Sequence, residues 1–334
     1  MKFLIVLFSL FTLLLGDNIL KIATYNVENL FDLEKNGYKY KEYIPNSKSL
    51  WNKKNYKIKL QNISRVIKDI DADIIALQEV HSLQALKDLR FTLKQNGLYY
   101  QYYSIADKKN TAIKVAFLSK VPFVYAKELS VTLSYKYRNI LEAKFRLNNN
   151  DLYIFINHWK SKSGPESMRI TSAKTLRKRI TEIGYDKNII LLGDFNSDYE
   201  EYIKFKRKRK HNDTNGKTGI NHVLRTLKLT QKAEDLKYEK DNFYNLWYDT
   251  DASKRYSYIF RGKKEALDNI LISQPLLDKK GISYIDSSIT NLDAKYLFKK
   301  KNIYRWQVSR AKIPKHKGKG YSDHLPVMAK FRVK

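Results

Sequence analysis

A carboxylate and a carboxamide two residues apart follow an apolar run near the middle of the chain. Asp194 and Asn196 come after Gly193, which itself follows the apolar residues 189–192. Such a run predicts a buried strand, and the glycine relaxes the backbone at its end, so both side chains are expected to project into a cleft at the sheet edge. A turn capped by Asp194 or Ser197 would explain the same residues without any chemistry.

Several other apolar runs also end at polar or ionisable residues. Because α/β folds collect ligands from strand ends that are distant in sequence, these residues are expected to meet in one cleft. Carboxylates and amides without cysteine suit Mg²⁺, Mn²⁺ or Ca²⁺ far better than a closed zinc site, and two histidines beside acids can move protons near neutral pH. The set is Asn26, Glu28, Glu79, His158, Asp194, Asn196, Asp268, Asp323 and His324.

The elements that must position these groups alternate between strands and helices in the first part of the chain. Apolar residues recur at helical spacing over residues 56–70, and a buried strand follows at residues 73–79. β-forming residues then predict a series of strands, one of them at residues 129–133. Neither a repeat nor a linker divides the chain, so residues 17–334 are expected to form one domain with two face-to-face sheets and helices outside.

In this order the motifs resemble those of the endonuclease/exonuclease/phosphatase superfamily, which has the deoxyribonuclease I-like fold. The resemblance runs from about Lys21 to the end of the chain, and its terminal and Gly-Asp-x-Asn motifs are specific when they occur together. It implies a four-layered α/β/β/α sandwich and metal-dependent hydrolysis of phosphoesters. The motifs are Tyr25-Asn26-Val27-Glu28-Asn29, Gln78-Glu79-Val80, Asn157-His158, Gly193-Asp194-Phe195-Asn196, Asp268-Asn269-Ile270 and Ser322-Asp323-His324.

The resemblance also implies which residues hold the metal. Glu79 is expected to be the principal carboxylate, with Asn26, Glu28 and Asp323 nearby. The expected ion is Mg²⁺ or Mn²⁺, with Ca²⁺ as a further choice. Such an ion neutralises the phosphate and the charge that grows on the leaving oxygen.

Catalytic roles follow from the same resemblance. Asp194 would orient or deprotonate the attacking water, and Asn196 would hold a phosphoryl oxygen. His324, oriented by Asp268, would serve as a base or as a donor to the phosphate, and the sequence leaves both roles open. His158 resembles the second histidine of the deoxyribonuclease branch.

The branch of the superfamily is indicated by the segments at residues 26–32 and 158–164, which look like those of secreted bacterial nucleases. A DNA endonuclease is therefore the preferred interpretation. The expected phosphate contacts are Arg138, Lys160, Ser161 and Arg169.

Three alternatives stay open from the sequence. Secreted sphingomyelinases of the same fold carry an aromatic membrane-touching hairpin before their terminal histidine, whereas the aromatic residues at 296–306 are interspersed with lysines and suit base stacking. An inositol-phosphate phosphohydrolase is a second alternative. A non-catalytic nucleic-acid-binding module is the third, although no catalytic residue is missing.

The charge balance favours a polyanionic partner. Lys and Arg number 64 against 34 Asp and Glu, which gives a formal net charge of +30. Basic runs at residues 204–210 and 299–301 add local attraction for nucleic acid, with DNA preferred, or for the surface of an anionic membrane. A genome rich in A and T would also enrich lysine, so the charge supports this partner without establishing it. The protein is expected to be a monomer.

The amino terminus predicts export. Residues 1–16 contain one basic residue and an apolar run that ends before Gly16, which is typical of a secretory signal peptide and too short to span a bilayer. An uncleaved anchor is the alternative. The chain has no cysteine, and a core drawn from 43% hydrophobic residues does not need disulfides. The predicted location is therefore periplasmic or secreted.

Overall fold

A computed structural model describes residues 18–35, 38–205, 211–226 and 241–334. The predicted signal peptide and most of the basic run at residues 204–210 lie outside these ranges. The helices are α1 (Lys53–Ile70), α2 (Leu83–Gln95), α3 (Glu166–Ile183) and α4 (Glu201–Lys204). The strands are β1 (Asn18–Leu30), β2 (Ile74–Val80), β3 (Tyr102–Ile105), β4 (Lys114–Ser119), β5 (Phe123–Leu129), β6 (Ile140–Leu147), β7 (Asn150–His158), β8 (Asn188–Asp194), β9 (Tyr244–Asn245), β10 (Tyr258–Phe260), β11 (Lys263–Glu265), β12 (Asp268–Ile272), β13 (Ile282–Tyr284), β14 (Thr290–Asn291), β15 (Phe298–Lys299), β16 (Asn302–Ile303) and β17 (Val327–Val333).

Two mixed sheets form the centre of the molecule. The first has the order β13-β17-β1-β2-β4-β3, with β14 also paired to β17, and the second has the order β5-β6-β7-β8-β12-β9. Each sheet contains one parallel pair, β1 with β2 and β7 with β8, while the other pairs are antiparallel. Helix α1 connects β1 to β2, and α3 connects β7 to β8, as parallel neighbours require a crossover. Each sheet therefore contributes one strand-helix-strand unit.

Three layers of apolar side chains hold the sandwich together. The inner faces of the two sheets share one core, which includes Phe117, Phe145 and Ile190. The outer face of the first sheet packs on α1 and α2, and the outer face of the second packs on α3. Each fully buried large apolar side chain contributes about 1.5–3 kcal/mol relative to an exposed one. The predicted α/β/β/α order of layers is confirmed.

Side-chain caps mark the starts of two helices. Helix α2 begins after Ser82, whose hydroxyl accepts a hydrogen bond from the Ala85 N–H at 3.1 Å. Asn52 caps α1 in the same way, accepting from the Asn55 N–H at 3.1 Å. These caps satisfy backbone donors that the first helical turn leaves free.

The predicted strand at residues 129–133 is wrong. Strand β5 ends at Leu129, and the following residues form a loop up to β6. The Lys108 ammonium group donates hydrogen bonds to the carbonyl oxygens of Thr132, Ser134 and Tyr137 at 2.7, 2.7 and 3.0 Å. These carbonyl oxygens accept hydrogen bonds from a lysine in another part of the chain and not from a neighbouring strand. The β-forming residues here therefore did not indicate a strand.

No helix within the described ranges is both long enough and apolar enough to cross a bilayer.

Candidate active site

The carboxyl ends of the two parallel strand pairs lie at the same edge of the sandwich. Asn26 on β1 donates through Nδ2 to Asp194 Oδ2 on β8 at 3.1 Å, and this hydrogen bond joins the two sheets. The Asn26 amide also donates to Glu79 Oε1 at 3.3 Å, and its oxygen accepts from the Glu28 N–H at 3.0 Å. Asn26 therefore bridges two acidic side chains, and its amide oxygen is occupied by the backbone.

Irregular backbone aims the acidic side chains into the cleft. The register of β1 against β2 shifts between Asn26 and Leu30, and that of β2 against β4 shifts between Gln78 and Val80. Glu28 and Glu79 lie at these bulges with φ angles of 49° and 66°, in the left-handed region that non-glycine residues seldom adopt. Bulges next to functional sites re-aim a side chain, and strain of this kind collects at active sites.

Gly193 allows β8 to approach β7 closely. Its φ angle is 131°, and a Cβ atom built at this position would lie 2.1 Å from the Asn157 carbonyl oxygen. Any side chain would force the strands apart just where Asp194 pairs with His158. The glycine in the motif is therefore required by close backbone packing as well as by its torsion angle.

Asp194 lies at the centre of the cluster. Its Oδ1 accepts from the Asn196 N–H at 2.8 Å, and its Oδ2 accepts from Asn196 Nδ2 at 3.1 Å. The nearest nitrogens of His158 and His324 lie 3.5 and 3.9 Å from Oδ2. Asn196 orients the carboxylate, and its amide is further fixed by a 3.2 Å hydrogen bond to the Trp159 carbonyl oxygen.

His324 and Asp268 form a buried pair. The imidazole Nδ1 lies 2.6 Å from Asp268 Oδ2, and the ring of Tyr258 packs 4.9 Å from the imidazole. Burial alone would lower the pKa of His324, but the charge and hydrogen bond of Asp268, with the charge of Asp194, raise that pKa well above its usual value. His324 is therefore an imidazolium whose Nε2 side faces Asp194.

His158 has the opposite protonation state. Its Nε2 lies 3.5 Å from Asp194 Oδ2 and 3.8 Å from Glu79 Oε1. Burial, with the positive charges of Arg138 and His324, lowers the pKa of His158 well below its usual value. The site thus combines one charged and one neutral imidazole around a single carboxylate.

The Asp194 carboxyl group titrates near neutral pH. Burial, together with the negative charges of Asp268 and Glu79, raises the pKa of Asp194 to about 7, although His324 opposes the shift. A carboxylate with this pKa is a much stronger base than an exposed aspartate. This is the range in which general bases work best at neutral pH.

Replacing Asp194 by asparagine is expected to stabilise the metal-free protein at neutral pH. The folded pKa of about 7 lies above the ordinary 3.8, so the folded protein keeps a proton that the unfolded chain releases, and wild-type stability falls between these two pH values. The loss is about 4 kcal/mol at most and is complete above the folded pKa. Urea unfolding of Asp194→Asn and wild type in EDTA from pH 4 to pH 8 measures this. Parallel stability curves would contradict the assigned environment of Asp194.

Glu79 presents a carboxylate to the cleft. Its Oε2 accepts from the Asn29 N–H at 2.9 Å, and the side chain keeps 18% of its surface exposed. Burial raises the pKa of Glu79, and the negative charge of Asp323 adds to the shift, so two acidic side chains act on each other here. A divalent cation would balance their negative charges.

The donor set suits an ion that keeps much of its water. Within the described ranges, no group of three or more histidines, aspartates or glutamates is arranged as a metal cage. Mg²⁺ is bound in proteins through one or two carboxylates plus water and substrate phosphate, so a single partly exposed carboxylate such as Glu79 fits it.

Glu28 and Asp323 were predicted to lie near the metal. In the structure both carboxylates contact the guanidinium group of Arg305. Arg305 Nε donates to Glu28 Oε1 at 2.8 Å, and the Trp306 N–H donates to Glu28 Oε2 at 2.9 Å. Arg305 Nη2 also contacts Glu28 Oε1 and lies 3.2 Å from Asp323 Oδ2. Glu28 therefore has no oxygen left free for a metal in this structure.

The predicted phosphate contacts divide into two groups. Arg138 is half-buried, donates to the Trp159 carbonyl oxygen at 2.8 Å, and acts electrostatically on both His158 and Glu79. Burial and the positive charge of Arg138 lower the pKa of Lys160. The Ser161 hydroxyl instead pairs with that of Ser163 at 2.7 Å.

Arg169 is a correction to the predicted phosphate contacts. Its side chain is buried, and Nε donates to Glu166 Oε2 at 2.6 Å. Its Nη1 donates to the carbonyl oxygens of Lys160 and Ser161 at 3.1 and 3.0 Å. The guanidinium group therefore holds the backbone of the loop that follows β7, and it is not exposed to a substrate.

Sequence reasoning missed two side chains at the site. Arg305 is one of many cations in a basic insertion, and nothing in its local sequence distinguishes it. Lys59 lies within the predicted helix and was not singled out, yet it is fully buried, and its ammonium group donates to the Tyr321 carbonyl oxygen at 2.8 Å. Burial lowers the pKa of Lys59 to about 8, while Glu28 and Asp323 oppose the shift.

Solved structures with the same fold are distant in sequence. A Danio rerio TDP2 complexed with single-strand DNA product is 14% identical with a TM-score of 0.58, covering 94% of this chain and 99% of that one. A Bacteroides thetaiotaomicron mannosyl-6-phosphatase is 16% identical with a TM-score of 0.56, covering 93% and 99%. An endonuclease/exonuclease/phosphatase family protein from the same bacterium is 15% identical with a TM-score of 0.55, covering 96% and 99%. These likenesses confirm the fold.

The sequence pattern of the Endonuclease/Exonuclease/phosphatase family matches residues 21–333. No curated protein matches the chain. The family match covers nearly all of the residues that build the sandwich and the cleft. The chain therefore belongs to the endonuclease/exonuclease/phosphatase family.

Proposed function

We propose that this protein is a divalent-metal-dependent nuclease that hydrolyses phosphodiester bonds, with DNA as the preferred substrate, and that it acts in the periplasm or outside the cell. The observation that carries the proposal is the arrangement around Asp194. The Asp194 carboxyl group, whose pKa burial raises to about 7, lies 3.5 Å from His158 and 3.9 Å from His324, beside the partly exposed carboxylate of Glu79.

Each side chain has a distinct task in this arrangement. A divalent cation bound at Glu79 would neutralise charge on the phosphate and on the leaving oxygen. Asp194, held by Asn196, accepts a proton from the attacking water. The His324 imidazolium, fixed by Asp268, donates to a phosphoryl or leaving oxygen. Arg138 and Lys160 on the His158 side attract the phosphate.

Charge supports nucleic acid as the substrate. The formal net charge of +30 favours a polyanion, and lysines 299–301 are exposed on the β15–β16 hairpin. The complex of the zebrafish TDP2 with a single-strand DNA product supports the same class of substrate. The apolar run within residues 1–16 supports export.

A plasmid-nicking assay tests the proposal. The full chain is incubated with supercoiled plasmid and Mg²⁺, Mn²⁺, Ca²⁺ or EDTA, and His324→Ala controls for contaminating nuclease. Parallel reactions contain sphingomyelin, inositol phosphates or mannose 6-phosphate. Nicking that requires a metal and His324 supports a nuclease. Hydrolysis of a lipid or sugar phosphate without nicking would contradict the nuclease proposal and would indicate another kind of phosphoesterase.

Neutralising lysines 299–301 with glutamine is expected to weaken binding of DNA without changing turnover at saturating substrate. These lysines are exposed on the β15–β16 hairpin and are not among the residues assigned to catalysis. The slope of log Kd against log salt concentration should fall by about one for each lysine that neutralises a phosphate. Fluorescence anisotropy at several salt concentrations measures both quantities.

A matched triple variant controls for the loss of charge itself. Lys279, Lys280 and Lys334 are also exposed, and they lie beyond the end of β17 opposite to His324. Glutamine at these three positions should leave the salt slope nearly unchanged. Equal effects of the two triple variants would mean that only net charge matters. A loss of saturating turnover in the first variant would exclude a steering role.

A further inference from the structure

Arg305 lies between two acidic side chains of the cleft. Its guanidinium donates to Glu28 at 2.8 Å through Nε and lies 3.2 Å from Asp323 Oδ2 through Nη2. Glu28 is buried, whereas the Arg305 side chain is 54% exposed. The guanidinium group of one partly exposed arginine therefore contacts both carboxylates.

The backbone around Arg305 is fixed by several independent contacts. The Trp306 N–H donates to Glu28 Oε2 at 2.9 Å, and the buried Trp306 indole donates to His316 Nδ1 at 2.8 Å. Gly320 packs against the same segment with a φ angle of 90°, and a Cβ atom there would lie 2.0 Å from the Arg305 carbonyl oxygen. The arginine is built into the cleft by the fold and is not a loosely placed surface side chain.

Electrostatics also explains why the Arg305 side chain lies between Glu28 and Asp323. Glu28 and Asp323 would repel each other at close range, and a cation between them removes the repulsion. The ammonium group of buried Lys59 adds a second positive charge beneath them, 5.2 Å from the Trp306 ring. A further divalent ion at the same place would meet two fixed cations and no free Glu28 oxygen.

We propose that Arg305 is a built-in cation that occupies the position between Glu28 and Asp323, so that the site binds one divalent ion, at Glu79, instead of two. The inference rests on the proposed metal dependence, and it concerns the number of divalent ions that the site can bind. Arg305 is a positioning residue in this role, since it acts by holding Glu28 and Asp323. A planar guanidinium can contact both carboxylates at once, which a compact ammonium group does less well.

Binding of Mn²⁺ to the full chain without nucleic acid tests this directly. Isothermal titration calorimetry and electron paramagnetic resonance are expected to give one Mn²⁺ per wild-type chain. Arg305→Gln removes the charge but keeps hydrogen-bond donors, and it should bind a second Mn²⁺. Arg305→Lys keeps the charge and should bind one. Combining Arg305→Gln with Glu28→Gln should abolish the second ion. Circular dichroism verifies that every variant is folded.

Each result decides the matter. Arg310 lies exposed in the same basic insertion, so Arg310→Gln is the matched control and should bind one ion. Two ions on the wild-type chain, or one ion of unchanged affinity on Arg305→Gln, would overturn the role of Arg305 and leave the proposed nuclease intact. No bound Mn²⁺ on the wild-type chain would overturn the metal dependence as well. Should Arg305→Gln fail to fold, Arg305→Met takes its place, and one ion of unchanged affinity on that variant would overturn the role of Arg305.

Discussion

Glu79→Gln is expected to abolish phosphodiester hydrolysis while the protein stays folded. Glu79 lies at a strand bulge with part of its carboxylate exposed to the cleft, so it contributes to ion binding and not to the core. Loss of metal assistance is worth several kcal/mol, which corresponds to a rate at least about 1000-fold lower. Initial rates of plasmid cleavage across a Mg²⁺ titration measure the effect, and excess Mg²⁺ should restore part of the activity.

Glu182→Gln is a matched control for this substitution. Glu182 lies on helix α3, where it pairs with Arg179 at 3.0 Å and is half exposed. Its loss should leave both cleavage and the Mg²⁺ dependence unchanged. If Glu79→Gln kept full activity, or if its circular dichroism spectrum showed an unfolded chain, the assignment of Glu79 to the metal would be wrong.

His324→Ala and Asp268→Asn are each expected to lower kcat by about 100- to 10,000-fold. Their 2.6 Å hydrogen bond makes them one unit, because Asp268 fixes the tautomer of the imidazole and stabilises its charged form. The double variant should therefore be only slightly slower than either single variant, since residues that act together are not additive. A double-mutant cycle on DNA cleavage measures this coupling.

His158→Ala provides the comparison within the same cleft. Its imidazole is neutral and contacts Asp194 from the other side, so its effect should combine with that of His324→Ala in a different way. Circular dichroism and thermal unfolding of each variant exclude loss of structure as the cause. Strictly multiplicative losses for His324 and Asp268 would show that Asp268 is an ordinary buried acid.

Residues with local signals were predicted well from the sequence. The apolar runs before Asn26, Glu79, His158 and Asp194 gave the strands, and the order of the motifs gave the family and the layers. These signals depend on side-chain periodicity and on backbone torsion angles, which a few neighbouring residues determine. The meeting of the strand ends then follows from the parallel pairing of β1 with β2 and of β7 with β8.

Residues whose partners are distant were predicted poorly. Arg305 and Glu28 are separated by 277 positions, and no local pattern indicates their contact. Lys108 and the loop carbonyls that it binds are 24 or more positions apart. Arg169 is different, because Glu166 three residues earlier could have indicated an ion pair within the helix.

The hydrogen bond between Asn26 and Asp194 closes a chain separation of 168 residues. Asn26 and Glu79 belong to the first sheet, while His158, Asp194 and Asp268 belong to the second. Neither half of the chain therefore contains a complete set of reactive groups, however well its own strands are formed. The site is therefore assembled only when the two sheets pack against each other, and a polypeptide truncated between them lacks part of the set.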